Sequence, residues 1–286
     1  MGDWTHLIRF EAQEDGQVHL GQLVDVSRDV GLDHLNNTPI QAYKVQGSVF
    51  NGKVDKNTTL TVKKLLAPLT ADQCSYIRCV GLNYRDHAEE ADLAIPKAPI
   101  LFTKPRTALM GPYPDNLVIP KVAQDGTSDY EAELCVVIGK TGKDIKEEDA
   151  LDHVAGYTCS NDVSARTLQF TTSQWSFSKG LDKSCPIGPV LVSKDAIPDP
   201  QVLNIKCFYN GNVEQDGNTK DMIFSVKQLI AYFSQGTTLE AGTVIVSGTP
   251  AGIGFMKKPR VTLEDKGDIR VYIDKIGTLV NKIVYE

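Results

Sequence analysis

Asp129-Tyr130-Glu131-Ala132-Glu133-Leu134-Cys135-Val136-Val137-Ile138-Gly139 carries the reading of this chain. As a strand it sends side chains to alternate faces, so Glu131 and Glu133 share one face, continued by Cys135 and Val137. Residues 134–138 are apolar on both faces, which marks a strand buried on both sides. On a solvated edge two such carboxylates mean little. At the mouth of a buried strand they repel each other and resist desolvation unless a cation neutralises them. A third carboxylate is then wanted. Asp162 supplies it in Cys159-Ser160-Asn161-Asp162-Val163-Ser164-Ala165-Arg166, after the apolar approach Val154-Ala155-Gly156-Tyr157. Three hard oxygen donors favour Mg²⁺, Mn²⁺ or Ca²⁺ over zinc, and His6, His19, His34, His87 and His153 show no zinc-type pairing.

Outward from this stretch, strands dominate. The residues around 131–138, 203–209, 243–247, 269–273 and 279–285 are β-branched or alternating, and Asn210-Gly211 is a strong hairpin signal. Shorter strands broken by polar turns fill the first seventy residues, ending near Leu65-Leu66-Ala67-Pro68-Leu69. The expected division is therefore a small β-rich N-terminal domain, 1–70, before a larger domain, 71–286. Two helices are expected: 146–154, acidic near its start, and one capped by Ser225 with Val226, Leu229, Ile230 and Phe233 on one stripe. Strands and helices do not alternate, so the class is α+β, mainly β.

Length and composition agree. At about 150 residues per domain, 286 residues make one large domain or one with a small partner. Thirty basic residues against 36 acidic ones, a net charge of -6, leave no electrostatic footprint for nucleic acid or anionic lipid. Apolar runs such as Cys135-Val136-Val137-Ile138 fall far short of the ~20 residues that span a bilayer. The six cysteines contain no C-x-x-C and read as reduced packing residues. The opening residues lack the pattern of a leader, and His6 stands where myristoylation wants Ser or Thr, so a cytoplasmic address is expected.

Further chemistry is suggested by Gly81-Leu82-Asn83-Tyr84-Arg85-Asp86-His87-Ala88-Glu89-Glu90-Ala91. If it is helical, His87 and Glu90 share a face, and the carboxylate can orient the imidazole and raise its basicity. Such a pair is ordinarily just a solvated face. The apolar stripe is limited to Tyr84, Ala88 and Ala91, so the segment is expected to be a mobile lid that orders over a ligand. Lys104 and Lys179 are candidate anion contacts, each an ordinary surface lysine when judged alone. In Ser247-Gly248-Thr249-Pro250-Ala251-Gly252-Ile253-Gly254 a backbone amide and the Thr249 hydroxyl can approach a carboxylate closely; a tight turn leaving a strand is an equally good reading.

With these residues assembled, the chain resembles the fumarylacetoacetate hydrolase family, in particular its shorter members of the domain-containing protein 2 and 2-hydroxyhepta-2,4-diene-1,7-dioate isomerase type. The likeness rests on Gly81-Leu82-Asn83-Tyr84 with Asp86-His87, Leu101-Phe102-Thr103-Lys104-Pro105, the 129–134 stretch, Asn161-Asp162-Val163-Ser164-Ala165-Arg166, Gln174-Trp175, Cys185-Pro186-Ile187-Gly188-Pro189 and Gly248-Thr249-Pro250-Ala251-Gly252. Seven blocks in one order make a specific signal. The resemblance implies a mixed β-sandwich roll behind a smaller N-terminal domain, a homodimer, and Mg²⁺ or Mn²⁺, with Ca²⁺ as a substitute, on Glu131, Glu133 and Asp162. It implies His87 and Glu90 as a water-activating pair and Lys179 as the active-site lysine. Substrate contacts would come from Tyr84, Arg166, Gln169 and Thr249, the last receiving a carboxylate. Many relatives read Lys-Ser-Phe-Asp where this chain reads Lys179-Gly180-Leu181-Asp182, so the pocket beside the lysine is altered.

The expected substrate is a small 2-oxo acid chelated through its carboxylate and 2-oxo group, with enolate formation at the third carbon. Attack of activated water on a 4-oxo carbon gives C–C hydrolysis of an acylpyruvate or fumarylacetoacetate type of substrate, the leading expectation. Loss of CO₂ gives oxaloacetate decarboxylation, and movement of a proton gives a tautomerase or isomerase. A catalytically idle metal-binding protein of the same fold is the remote alternative.

Overall fold

A computed structural model of the chain describes residues 2–286. The Ala132–Ile138 strand is buried at every position, and the molecule is layered around it. Its two faces feed two separate cores. Ala132, Leu134, Val136 and Ile138 face one cluster, Cys135 and Val137 the other. Side-chain alternation in a strand covered on both sides therefore partitions the interior, each fully buried large apolar side chain contributing roughly 1.5–3 kcal/mol.

The strand pairs antiparallel with Val154–Asn161 along its whole length and with Val244–Val246 on its other side. Beyond Val154–Asn161 the sheet continues through Cys185–Ser193 to His6–Ala12, and beyond Val244–Val246 through Ile77–Gly81 to the edge strand Ile100–Lys104. A second, five-stranded sheet runs Asn212–Asn218, Asn204–Tyr209, Asp268–Ile273, Gly277–Tyr285 and Leu117–Ile119. Its Ile205, Cys207, Ile269, Val271 and Leu279 meet Leu134 and Val136 in the larger core, so the expected sandwich of two sheets is what forms.

At the N-terminal end His6–Ala12, Val18–Leu23, Gln41–Gln46 and Lys53–Leu66 pair in a closed cycle. The first of these also reaches the main sheet, where His6 and Leu7 pair with Val192 and Leu191.

The Val226–Phe233 helix begins at a reciprocal capping box between Ser225 and Gln228 and buries Val226, Leu229, Ile230 and Phe233, as the spacing predicts. Asn210 and Gly211 both take positive φ, 48° and 84°, as a tight two-residue hairpin demands. The helix expected at 146–154 is instead a 3₁₀ segment, Glu147–His153. It has no side-chain cap and buries only Ala150, so no apolar stripe holds the wider α-helical turn. Among the described residues no helix is long and apolar enough to cross a membrane.

Candidate metal centre and active site

Strand register brings the three carboxylates together. Ala132 pairs with Asn161, which sets Glu131 beside Asp162, and the Asp162 amide donates to the Glu131 carbonyl at 2.9 Å. The Asn161 side chain accepts from the Glu131 amide at 3.0 Å. Glu133 joins them from the same strand face. One ligand atom from each of Glu131, Glu133 and Asp162 lies within 4.8 Å of the others, and the residues are 6%, 1% and 0% exposed.

Buried carboxylates at this spacing require compensation. Lys179 Nζ, on the short Ser176–Lys179 helix, donates to Glu131 Oε2 and Asp162 Oδ2, both at 2.9 Å, and to Ser164 Oγ at 2.7 Å. Arg166 lies 2.7 Å from both Asp129 Oδ2 and Glu131 Oε1. Lys104 Nζ is 2.7 Å from Asp162 Oδ1, off the line of a hydrogen bond, while donating to the carbonyls of Val163, Lys179 and Ser184. Four buried carboxylates thus face three buried cations. The one without a cationic partner is Glu133, whose Oε2 accepts from the Gly248 amide. Gly248 has φ +97°, and a Cβ there would lie 2.6 Å from that of Asn83, so only glycine allows this approach.

The ionisation pattern follows. Burial, then the charges of Asp162 and Glu131, push the Glu133 carboxyl well above its ordinary range. Burial would also raise Glu131, but Lys179 and Arg166 outweigh it and hold that group well below. Burial would lower the Lys179 ammonium, yet Asp162 and Glu131 raise it. An oxygen cluster with one uncompensated carboxylate fits a hard divalent cation, both in donor chemistry and in charge.

His87 and Glu90 lie on the Arg85–Glu90 helix, with Nδ1 and Oε2 3.2 Å apart. The other Glu90 oxygen accepts from the Gly252 amide at 3.0 Å, and Asp86 Oδ2 accepts from the Ala251 amide at 3.3 Å. The segment expected to be poorly held is formed and tethered, by polar contacts that a tally of apolar residues does not register. His87 lines a cavity of about 730 Å³ together with Glu131, Arg166, Gln169, Lys179 and Thr249.

The expected substrate contacts Tyr84 and Thr249 differ in placement. Tyr84 is fully buried, its hydroxyl has no partner, and it does not line the cavity. Thr249 does line it, but its hydroxyl donates to the Ala132 carbonyl at 2.9 Å and accepts from Gln215 at 2.7 Å, so its proton is already used. Arg166 and Gln169 are joined by a 2.9 Å hydrogen bond. Lys104 is a buried partner of Asp162, not a surface lysine. Asp129, the partner of Arg166, is a further residue of the cluster that the paired-carboxylate argument leaves out, although it falls on the same alternation parity as Glu131 and Glu133.

The family profile described as fumarylacetoacetate (FAA) hydrolase, C-terminal, matches residues 76–284. Caffeoylpyruvate hydrolase of Neonothopanus nambi is 44% identical, over 99% of this chain and 94% of its own. The mitochondrial oxaloacetate tautomerase FAHD2A of Homo sapiens is 45% identical, over 77% of this chain and 69% of its own. Among solved structures, fumarylpyruvate hydrolase from Pseudomonas aeruginosa, in complex with Mn²⁺ and pyruvate, superposes with a TM-score of 0.67 at 31% identity, covering 74% of this chain and 91% of that one.

Proposed function

The chain belongs to the fumarylacetoacetate hydrolase family, and from that premise we propose that it is a divalent-cation-dependent enzyme hydrolysing a carbon–carbon bond of acylpyruvate-type 2,4-dioxo acids. The observation that carries this reading is that one cavity is lined both by Glu131, a member of the buried carboxylate cluster with Glu133 and Asp162, and by His87, oriented by Glu90. Glu131, Glu133 and Asp162 would hold Mg²⁺ or Mn²⁺, a choice supported by the hard donor set and by the Mn²⁺ complex of the Pseudomonas relative. When bound, the ion would supply Lewis-acid polarisation of the 2-oxo acid head.

The protein's own groups supply the rest. Glu90 accepts from His87 Nδ1 and leaves Nε2 as the base, so His87 takes a proton from water as its oxygen adds to the 4-oxo carbon. The C3–C4 bond then breaks with its electron pair moving to C3. His87 returns the proton to C3, giving pyruvate and a carboxylic acid. Lys179 and Arg166 keep Glu131 ionised and fixed during these steps.

Changing His87 to Ala should lower pyruvate release from an acylpyruvate by on the order of 10²-fold or more. Decarboxylation of oxaloacetate, whose bond-breaking step needs no base, should fall much less. Equal loss of both would remove the hydrolytic role of the pair. Tautomerisation of oxaloacetate is the second reading, supported by the relative of that name. It prevails if the protein interconverts the keto and enol forms of oxaloacetate and releases no pyruvate from acylpyruvates. A homodimer, supported by the family's habit, and a cytoplasmic address, supported by six unpaired cysteines, complete the proposal. Light scattering of the purified protein checks the dimer.

A further inference from the structure

We propose that the half of the cavity away from the carboxylates is an acyl-tail subsite that selects substrates ending in an apolar, above all aromatic, group over substrates ending in a second carboxylate. This rests on the hydrolase reading above and names the substrate class within it.

Charge is the first argument. The cations lining the cavity are Arg166 and Lys179, and each is already engaged by buried carboxylates: Arg166 by Asp129 and Glu131, Lys179 by Glu131 and Asp162. A distal carboxylate would meet a lining that is otherwise mostly apolar, with Leu93, Ile100, Phe170 and Phe255 in it, while the Arg260 guanidinium lies over the Phe255 ring and does not line the cavity. It would lose its hydration without gaining a free cation of the lining as partner.

The second argument is the placement of the aromatic pair. Phe170 is 66% exposed, which no requirement of core packing explains. It lies one helical turn beyond Arg166 on the Arg166–Thr171 helix, so the two share a face, one at the carboxylates and one at the mouth. Its ring centroid is 5.1 Å from that of Phe255, the planes inclined at 36°.

Both rings are registered to the site through one residue. Asp129 binds Arg166, the root of the first helix turn, and accepts from the Gly254 and Phe255 amides at 2.8 and 3.0 Å. The Arg260 guanidinium lies 4.1 Å from the Phe255 ring centroid and helps to hold that ring. A cavity of about 730 Å³ is far larger than the dioxo acid head requires, and a planar apolar tail can lie against this packed ring pair.

The test compares kcat/KM for pyruvate release from benzoylpyruvate, acetylpyruvate and succinylpyruvate, in wild type and in Phe170→Ala and Phe255→Ala variants. Wild type should prefer benzoylpyruvate to succinylpyruvate by on the order of tenfold or more, the size of a one-group apolar discrimination. Each variant should lower the benzoyl-to-acetyl ratio, mainly through KM. Preference for succinylpyruvate, or a ratio unmoved by both variants, would overturn the subsite. If none of the three releases pyruvate, the hydrolase reading itself has failed. Calorimetric binding of the same three compounds then decides the subsite by the same order of preference. Because Phe170 is exposed, its variant is expected to fold normally.

Discussion

Glu133 is where the chemistry of a single residue is most exposed to experiment. Its carboxylate is buried, faces Glu131 and Asp162, and has a backbone amide but no side-chain cation as partner. Glu133→Gln keeps the shape and cannot ionise. Without added metal the variant should melt higher than wild type, because folding no longer has to force a carboxyl out of its ordinary ionisation to bury it beside Asp162 and Glu131. Wild type should gain stability with added Mg²⁺ and the variant much less, and its activity should vanish. A variant stabilised by Mg²⁺ as strongly as wild type would remove Glu133 from the metal set. A contrasting case is Asp268, where burial would raise the carboxyl but hydrogen bonds from Arg270 and Lys282 outweigh it and hold it below the ordinary value. A folded-state pKa below the unfolded one gives stability that is present above about 3.8 and lost as pH falls through that range. Asp268→Asn should therefore flatten the acid side of the Tm–pH profile, costing less than about 1 kcal/mol at neutral pH because the group is partly exposed. An unchanged acid limb would speak against it.

Among elements, the Arg85–Glu90 helix and the loop of residues 247–252 act on each other. Asp86 and Glu90 grip the Ala251 and Gly252 amides, while the other end of the same loop gives the Gly248 amide to Glu133. The base pair and the carboxylate cluster are thereby linked through one short segment of backbone. Asp86→Ala should loosen this link, with faster hydrogen exchange at Ala251 and Gly252, a higher KM and a lower kcat. Asp86→Asn, which keeps an acceptor, should recover part of the loss, and exchange unchanged in the alanine variant would show that the link bears no strain. This element also marks the limit of what sequence shows. Alternation within 131–138 made the convergence of Glu131 and Glu133 legible, because a strand writes its faces in adjacent letters. The capping box at Ser225 was legible for the same local reason. Gripping of distant amides by Asp86, the burial of Lys104 behind Asp162 and the engagement of the Thr249 hydroxyl depend on segments roughly 60 to 165 positions apart in sequence, and no periodicity encodes them. The 3₁₀ segment at Glu147–His153 is not legible in the sequence, because acidic residues signal a helix start without saying which helix.

For the whole molecule, the six cysteines are all free and buried, with burial pushing the Cys74 thiol up to about 12 and the Cys185 thiol to about 11. A thiol needs both exposure and ionisation to react. A disulfide reagent should therefore leave the native protein almost untouched and titrate six groups after unfolding; rapid reaction of several native thiols would contradict this packing. The closed cycle of N-terminal strands has a different consequence, for the order of biosynthesis. Its own pairings all lie within the first 66 residues, so the ring can close soon after it leaves the ribosome. The seam at His6 and Leu7 cannot close, because its partners Val192 and Leu191 have yet to be made. At ordinary elongation rates of ~5–20 residues per second, that delay is about 6–25 s. Throughout it the nascent chain presents a finished ring with one unpaired seam, which is where a ribosome-associated chaperone would find its hold.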